Sequence, residues 1–160
     1  MPQGVLFSVD TSAIIDLWRG VYAKDVFEKA WAQFEDAFDS GVIIAPDEVY
    51  HELVDADDDL SEWAKTRKDV FHPLDELLQD HVRAVMTPFP QAASLPQARY
   101  ADPIVVALAR LRKCPVVSQE TKNDLVSNPH GLPAIPNYCD SASIRHLRLL
   151  RLFRELGWRF

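Results

Sequence analysis

Three short runs of β-branched and apolar residues, each followed by a stretch with helical periodicity, constrain the fold of this chain most strongly. The runs cover residues 5–9, 42–45 and 115–118. Runs this short and this apolar are typical of strands buried on both faces of a sheet. Strands that alternate with helices pair in parallel, because a helical crossover returns the chain to the same end of the sheet. The sequence therefore predicts an α/β fold, a three-layer α/β/α sandwich with a central parallel sheet.

Turn residues and helical periodicity place the other elements. One helix is predicted to end at Gly20, a second at Gly41, and Pro46 is predicted to open a third. Residues 134–138 are predicted as a short fourth strand, and a last helix is predicted to start at Asp140 or Ser141 and to end at Gly157. Further helices are predicted at 60–70, 74–86 and 104–111, and the proline-rich segment 87–96 is predicted to be mobile.

Length and composition fit one domain, residues 1–160, with 48% hydrophobic residues. The formal net charge of −7 is unevenly distributed. Residues 47–62 hold eight acids and no Lys or Arg, whereas residues 144–160 hold five Arg and one Glu. This asymmetry allows an acidic site and a basic contact surface on one molecule, although solvated helix faces would give the same pattern.

The rest of the composition favours a soluble, cytoplasmic protein. The first four residues lack the charged region of a signal peptide, and no apolar run approaches the ~20 residues that span a membrane. Cys114 and Cys139 do not have the spacing of metal ligands. They are predicted to be buried free thiols, with a disulfide left open.

Four acids occupy positions where strands end or helices begin. Asp10 ends the first run, and Glu120 follows the third. Glu52 lies on the helix after Pro46, and Asp102 begins the helix at 104–111. In a parallel sheet these positions meet beyond the carboxyl ends of the strands. Converging carboxylates repel one another unless a hard cation such as Mg²⁺ or Mn²⁺ neutralises them, so the pattern indicates metal-dependent phosphodiester chemistry.

Each of these acids also has a purely structural interpretation. Asp10 and Asp102 both have the sequence context of helix caps. Three hydroxyl residues favour the functional interpretation, because a hydroxyl beside a metal-binding carboxylate orients it or holds a water. The hydroxyl residues are Thr11, Ser12 and Ser118. Asp124 is an alternative to Glu120 as the fourth acid. Glu48, one turn before Glu52, is expected to be exposed.

Several other chemistries are excluded by missing patterns. The five histidines show no pairing that suggests zinc, and no glycine-rich loop for nucleotide phosphates is present. A phosphatase of the haloacid dehalogenase type also begins with a strand and an Asp, but it needs a second acid two residues later. Here that position is Ser12.

The carboxyl-terminal segment repeats arginine among apolar residues. Its predicted helix turns one face to the core, with Leu147, Leu150, Phe153 and Leu156. The arginines at its edge are Arg145, Arg148, Arg151 and Arg154. These four are candidates for contact with RNA phosphates or with a protein partner, and an ordinary amphipathic helix is the alternative.

Four motifs together resemble the PIN domain, a metal-dependent ribonuclease family. In chain order they are FSVDTS at 7–12, VYHEL at 49–53, ADPIVVA at 101–107 and VVSQE at 116–120. The closing segments IPNYC at 135–139 and RELGW at 154–158 resemble a bacterial PIN-like subfamily often encoded beside helix-turn-helix antitoxins.

The resemblance implies a parallel α/β/α fold and an endoribonuclease with Mg²⁺ or Mn²⁺ as cofactor. It implies that Asp10 and Asp102 hold an ion directly, while Glu52 and Glu120 bind a second ion or position water. The family usually has Asp after Thr-x at the fourth position, where this chain has Ser118-Gln119-Glu120. That departure leaves the fourth acid open between Glu120 and Asp124.

The resulting hypothesis is the toxin of a type II toxin–antitoxin pair, with RNA as substrate and a helix-turn-helix antitoxin as partner. A PIN-like module that binds RNA or protein without catalysis is the alternative. Sequence leaves the number of ions and the oligomeric state open, a homodimer included, and no membrane partner is expected.

Overall fold

A parallel sheet of four short strands lies at the centre of the computed structural model, which describes residues 4–94 and 100–160. Across the sheet the strand order is β2-β1-β3-β4, and each pair of neighbours is parallel. The register pairs Phe7 with Ile43, Ser8 with Val116, and Val116 with His146. The strands are β1 Phe7–Val9, β2 Ile43–Ile44, β3 Val116–Val117 and β4 His146–Leu147.

Eight α-helices surround the sheet in the described part of the chain. The predicted three-layer α/β/α sandwich is confirmed. α6 packs on β1 and β3 and contacts α5 and α7, while α2 packs on β2 and contacts α1. The helices are α1 Thr11–Arg19, α2 Glu28–Asp39, α3 Asp47–Asp55, α4 Asp59–Lys65, α5 Glu76–Met86, α6 Ala101–Arg112, α7 Ile135–Ala142 and α8 Leu149–Leu156.

The core forms where the apolar strands meet α6. All three residues of β1 are buried, as expected for a parallel strand covered on both faces. Seven consecutive residues of α6, 103–109, are also buried. Ser8 is the polar member of β1, and its hydroxyl donates to the carbonyl oxygen of Val105 at 2.8 Å. The bond satisfies the buried hydroxyl and fixes α6 against β1.

A cluster of aromatic rings joins α2 to α4. Trp31 and Trp63 contact edge to face with 5.1 Å between ring centroids, and Phe38 lies 5.6 Å from Trp63. The indole N–H of Trp63 donates to Glu35 at 2.7 Å. Such rings bury large areas and favour edge-to-face geometry, so α4 is fixed against the α2 layer.

The predicted strand at 134–138 is wrong, because this segment begins α7. Pro136 lies in the first turn, where a missing N–H costs nothing. The Asn137 side-chain oxygen accepts the backbone N–H of Ala134 at 2.9 Å and so caps the helix. The fourth strand is instead β4, His146–Leu147.

The predicted last helix is therefore shorter than expected. Asp140 and Ser141 lie inside α7, which ends where Ser143 adopts a left-handed backbone with φ of 56°. α8 starts only after β4, with Arg148 at its cap position, and ends at Gly157 as predicted. Leu150 is exposed, contrary to prediction, whereas Leu147 and Phe153 are buried.

Two further helix boundaries differ from prediction. The predicted helix at 60–70 divides into α4 and a 3-10 turn at Lys68–Val70. Asp102 is not the cap of α6 but lies in its first turn, after Tyr100 at the cap position. An acid in the first turn is favourable because it faces the positive end of the helix dipole.

Some remaining expectations concern the termini, a loop and the cysteines. The segment predicted to be mobile contains a 3-10 turn at Pro90–Ser94, while residues 95 and 96 lie outside the described residues, as do residues 1–3. Cys114 and Cys139 are buried and free, as predicted. Within residues 4–94 and 100–160, none of the helices has the length and apolarity needed to cross a membrane.

Candidate metal centre

Asp10 lies at the carboxyl end of β1, at the cap position of α1. Its backbone N–H continues the sheet by donating to the Val117 carbonyl at 2.9 Å, and its side chain accepts the Ser12 N–H at 3.1 Å. Only 4% of the residue is exposed. Burial raises the pKa of the Asp10 carboxyl, while contacts with Ser12, Thr11 and Glu120 act in the opposite direction. A buried acid in this environment costs free energy unless a positive charge accompanies it.

Three carboxylates converge at this edge of the sheet. One oxygen each from Asp10, Asp102 and Glu120 lies within 4.8 Å of the other two. Asp102 comes from the first turn of α6, and Glu120 follows β3. At an effective dielectric of about 20, two unit charges at this separation repel by about 3 kcal/mol. Three of the four acids predicted for the site are therefore brought together in an arrangement that favours a cation.

Glu52 faces the same acids from α3. It is half-buried, and its Oε1 atom is buried without a hydrogen-bond partner in the described structure. Burial and then the Asp10 charge raise the pKa of Glu52 to about 7, with Glu120 and Asp55 adding smaller effects. The nearby Thr11 hydroxyl favours the ionised form of Glu52, although it makes no well-formed hydrogen bond. Glu52 therefore lies next to the cluster of three carboxylates, on the side where α3 packs.

Glu48 is closer to the interior than expected. It was predicted to be exposed, but it is half-buried, and its Oε2 atom is buried without a partner in the described structure. Burial and the neighbouring Asp47 raise the pKa of its carboxyl. Because Glu48 and Glu52 are one turn apart on α3, one face of the helix presents two carboxylates that each have one buried oxygen without a partner in the described structure.

Hydroxyl groups support the ends of β1 and β3. The Ser12 hydroxyl accepts the Gln119 N–H at 3.0 Å, which links α1 to the residue before Glu120. Ser118 is fully buried, and its Oγ lies 2.6 Å from His146 Nε2 and 3.3 Å from the Glu120 nitrogen, whose N–H it accepts. Burial lowers the pKa of His146, and Arg148 lowers it further. The hydrogen bond between Ser118 and His146 joins the residue after β3 to β4.

Gln119 is the site residue that sequence reasoning missed. Its Nε2 donates to Asp16 Oδ2 at 2.7 Å, and its Oε1 accepts the Leu149 N–H at 2.9 Å. Its position between Ser118 and Glu120 was the only indication in the sequence that Gln119 belongs to the site. Its two partners, Asp16 and Leu149, are both far away along the chain. His146 was likewise not selected, since it lies apart from every motif.

Asp124 does not join the cluster. It is exposed, and its Oδ1 accepts the backbone N–H groups of Val126 and Ser127 at 3.1 and 3.0 Å. Hydrogen bonds from the backbone of Ser127 and, to a smaller extent, from its side chain lower the pKa of this carboxyl. Asp124 therefore stabilises a turn, and Glu120 is the acid that the geometry places beside Asp10.

The four candidate arginines do not share one helix face, because β4 separates them. Arg145 precedes β4 and pairs with Glu155 at 2.6 Å, whereas Arg148 follows β4 at the start of α8. Arg151 and Arg154 lie on α8 and are exposed. Of the four, Arg148 is the one at the carboxyl ends of the strands, the edge that carries the acids.

The opposite edge of the sheet is basic. A cavity of about 430 Å³ lies there, between the carboxyl ends of α6 and α7 and the residues that precede β3 and β4. Arg110, Lys113 and Arg145 line it together with Cys114. The cavity is therefore separate from the carboxylate cluster.

Fold and site together define an α/β protein with a carboxylate cluster at the carboxyl ends of parallel strands. A family model described as a domain of unknown function, DUF4411, matches residues 7–160. The chain belongs to the DUF4411 family. Searches of curated proteins and of solved structures gave no match.

Proposed function

We propose that this protein is a divalent-metal-dependent endoribonuclease. The observation that carries the proposal is the meeting of Asp10, Asp102 and Glu120, with carboxylate oxygens within 4.8 Å of one another, at the carboxyl ends of a parallel sheet. Ligand sites of open α/β folds lie at this edge. The order of the four motifs, which resembles the PIN domain, supports nuclease chemistry at that place.

The donor set fits Mg²⁺ or Mn²⁺. Three carboxylates offer only oxygen, the ligand that these hard cations prefer. Their oxygens lie within 4.8 Å of one another, so one ion could be held by all three side chains once they move closer together. Asp10, Asp102 and Glu120 would hold the ion. It would supply positive charge at the scissile phosphate and make water easier to deprotonate.

The protein's own groups shape the surroundings of this site. Ser12 donates its backbone N–H to Asp10 at the start of α1, and the Ser118 hydroxyl accepts the backbone N–H of Glu120. Glu52, with one buried unpartnered oxygen, would accept a hydrogen bond from the attacking water or bind a second ion. Arg148 at the same edge would contact an RNA phosphate, which offsets the repulsion between the acids and a polyanion.

We assign the enzyme to the toxin side of a toxin–antitoxin pair, with a helix-turn-helix antitoxin as its partner and the cytoplasm as its location. The closing motifs at 135–139 and 154–158 support this role through their resemblance to the bacterial PIN-like subfamily. Expression of the wild type, but not of Asp102→Asn, should then arrest bacterial growth.

RNA cleavage by the purified protein tests the proposal directly. Single-stranded RNA should be cut with Mn²⁺ or Mg²⁺ and should remain intact in EDTA. Asp102→Asn should abolish cleavage. Asp140→Asn is a matched control, because it also removes one acid, here an exposed one that pairs with Lys122, and it should cleave normally.

Two results would contradict the proposal in different ways. A protein that binds Mn²⁺ in calorimetric titration but leaves RNA intact would be the non-catalytic binding module. A folded protein that binds no Mn²⁺ would remove the metal site itself.

A further inference from the structure

We propose that Gln119 is a positioning residue that holds the metal ligand Glu120 in place by tying the end of β3 to α1 and α8. This inference rests on the proposed metal site and concerns how the chain keeps that site in shape. Gln119 lies directly before Glu120, so any movement of its backbone moves the carboxylate.

Three hydrogen bonds fix Gln119. Its backbone N–H donates to Ser12 Oγ at 3.0 Å, its side-chain amide donates to Asp16 Oδ2 at 2.7 Å, and its side-chain oxygen accepts the Leu149 N–H at 2.9 Å. Two of these bonds lead to α1 and one to the first residue of α8. The side chain thus spans two helices, and both ends of its amide are used.

The partners of Gln119 are themselves fixed. Asp16 Oδ1 accepts the Val21 N–H at 2.7 Å, so its carboxylate is held between a turn and Gln119. Gly20 packs against it so closely that a Cβ at position 20 would lie 2.0 Å from Asp16 Oδ1. Leu149 is fully buried. The anchors are therefore rigid elements, which is the condition for precise placement of a ligand.

The same tie connects Glu120 to Asp10. Ser12 donates its backbone N–H to Asp10 and accepts the Gln119 N–H through its hydroxyl. Ser12 thus bonds both to the proposed ligand Asp10 and to Gln119, the residue that precedes the proposed ligand Glu120. Outer contacts of this kind set the distance between ligands, and their loss usually weakens metal binding 10–100-fold, as an order of magnitude.

Calorimetric titration with Mn²⁺ tests the inference. Gln119→Ala should weaken Mn²⁺ binding roughly tenfold relative to the wild type. Gln91→Ala is the matched control, because it also loses two side-chain hydrogen bonds, to the carbonyl oxygens of Pro129 and Gly131. It should bind Mn²⁺ as the wild type does. Gln119→Asn keeps the amide group but is one methylene too short to reach both partners, so it serves as a milder variant should Gln119→Ala not fold.

A swapped pair provides the rescue. In Asp16→Asn/Gln119→Glu, the amide at position 16 can donate to the carboxylate at position 119, which still accepts the Leu149 N–H. The side-chain oxygen at position 16 still accepts the Val21 N–H, and the net charge is unchanged. Each single change breaks one bond, so the double variant should bind Mn²⁺ more tightly than the mean of the two singles and within about threefold of the wild type.

The outcomes separate this inference from the proposed function. If the wild type binds no Mn²⁺, both are wrong. If the wild type binds Mn²⁺ and cleaves RNA while Gln119→Ala and Gln119→Asn bind equally well, only the positioning role is wrong. Weak binding by both, with recovery in the swapped pair, establishes it.

Discussion

Asp10 at the carboxylate cluster and Asp58 at the surface are the same residue in the same local setting, yet they have opposite electrostatics. Each precedes a helix with an extended backbone, and each accepts a backbone N–H of the first turn. The Ser61 N–H and then Arg19, paired at 2.5 Å, lower the pKa of Asp58. Burial raises the pKa of Asp10, whose neighbours are acids. The difference shows that burial and neighbouring acids from distant parts of the chain, rather than the local sequence, make a capping aspartate a candidate metal ligand.

The strongest test of this contrast replaces each aspartate by asparagine. Because Asp10 is assigned as a ligand, Asp10→Asn should abolish RNA cleavage and weaken Mn²⁺ binding by more than about a hundredfold, beyond the loss typical of outer contacts. Asparagine can still cap α1, and the change removes one like charge. The metal-free variant should therefore be at least as stable as the wild type at pH 7, measured by urea unfolding.

Asp58→Asn is the control for this experiment. It should leave Mn²⁺ binding and cleavage unchanged and should lower the free energy of unfolding by less than about 1 kcal/mol, since it loses an exposed ion pair. An Asp10→Asn protein that cleaves RNA at the wild-type rate, or that unfolds, would show that the assignment of Asp10 as a metal ligand is wrong.

A second test uses the pH dependence of stability in the metal-free protein. The pKa of Glu52 is raised from its ordinary 4.5 to about 7 in the folded state. The folded state therefore binds this proton more tightly than the unfolded state, so the contribution is fully present below pH 4.5 and is lost as the pH rises through 7. Each pKa unit corresponds to about 1.4 kcal/mol, and partial exposure of Glu52 reduces the total, so we expect a loss of about 1–2 kcal/mol.

Glu52→Gln should remove most of this loss, and the measurement is the free energy of unfolding between pH 4.5 and 8. Glu62→Gln is the control, because Glu62 is exposed and pairs with Lys65 on the surface. Equal pH slopes in the wild type and in Glu52→Gln would mean that burial and the acids of the cluster do not raise the pKa of Glu52.

The elements that sequence predicted are those fixed by neighbours in the chain. The strand before Asp10 and the helix after it follow from a local change of periodicity, and Gly20 ends that helix because no side chain fits beside Asp16. The central parallel sheet followed from the alternation of such units. The cluster of Asp10, Asp102 and Glu120 could also be predicted from the sequence, because the carboxyl ends of parallel strands lie at the same edge of the sheet.

The features that sequence missed depend on partners far along the chain. β4 has only two residues, and pairing with Val116 and Val117 defines it rather than its own composition. Gln119 bonds to Asp16, 103 residues earlier, and to Leu149, 30 residues later. No local pattern carries such contacts. The segment at 134–138 was apolar enough for a strand, but the capping bond of Asn137 makes it a helix.

The smallest expected effect concerns the arginines, which β4 distributes between the acidic and the basic edge. Arg148 follows β4 beside the bond between Gln119 and Leu149, so it lies at the edge where RNA would meet the carboxylates. Arg148→Gln should weaken RNA binding and reduce the slope of log affinity against log salt by about 1. The slope falls because the variant makes one phosphate contact fewer, so that binding releases fewer counterions. Filter binding at several salt concentrations measures both quantities.

Arg145→Gln removes the same charge at the opposite edge, where Arg145 pairs with Glu155 and lines the basic cavity. It should leave the salt slope unchanged and, if that edge receives an acidic antitoxin segment, should weaken inhibition by the antitoxin instead. Salt slopes equal to that of the wild type in both variants would show that neither edge guides RNA. A fall in thermal stability with no change in binding would then assign the arginine stems to packing on the domain surface.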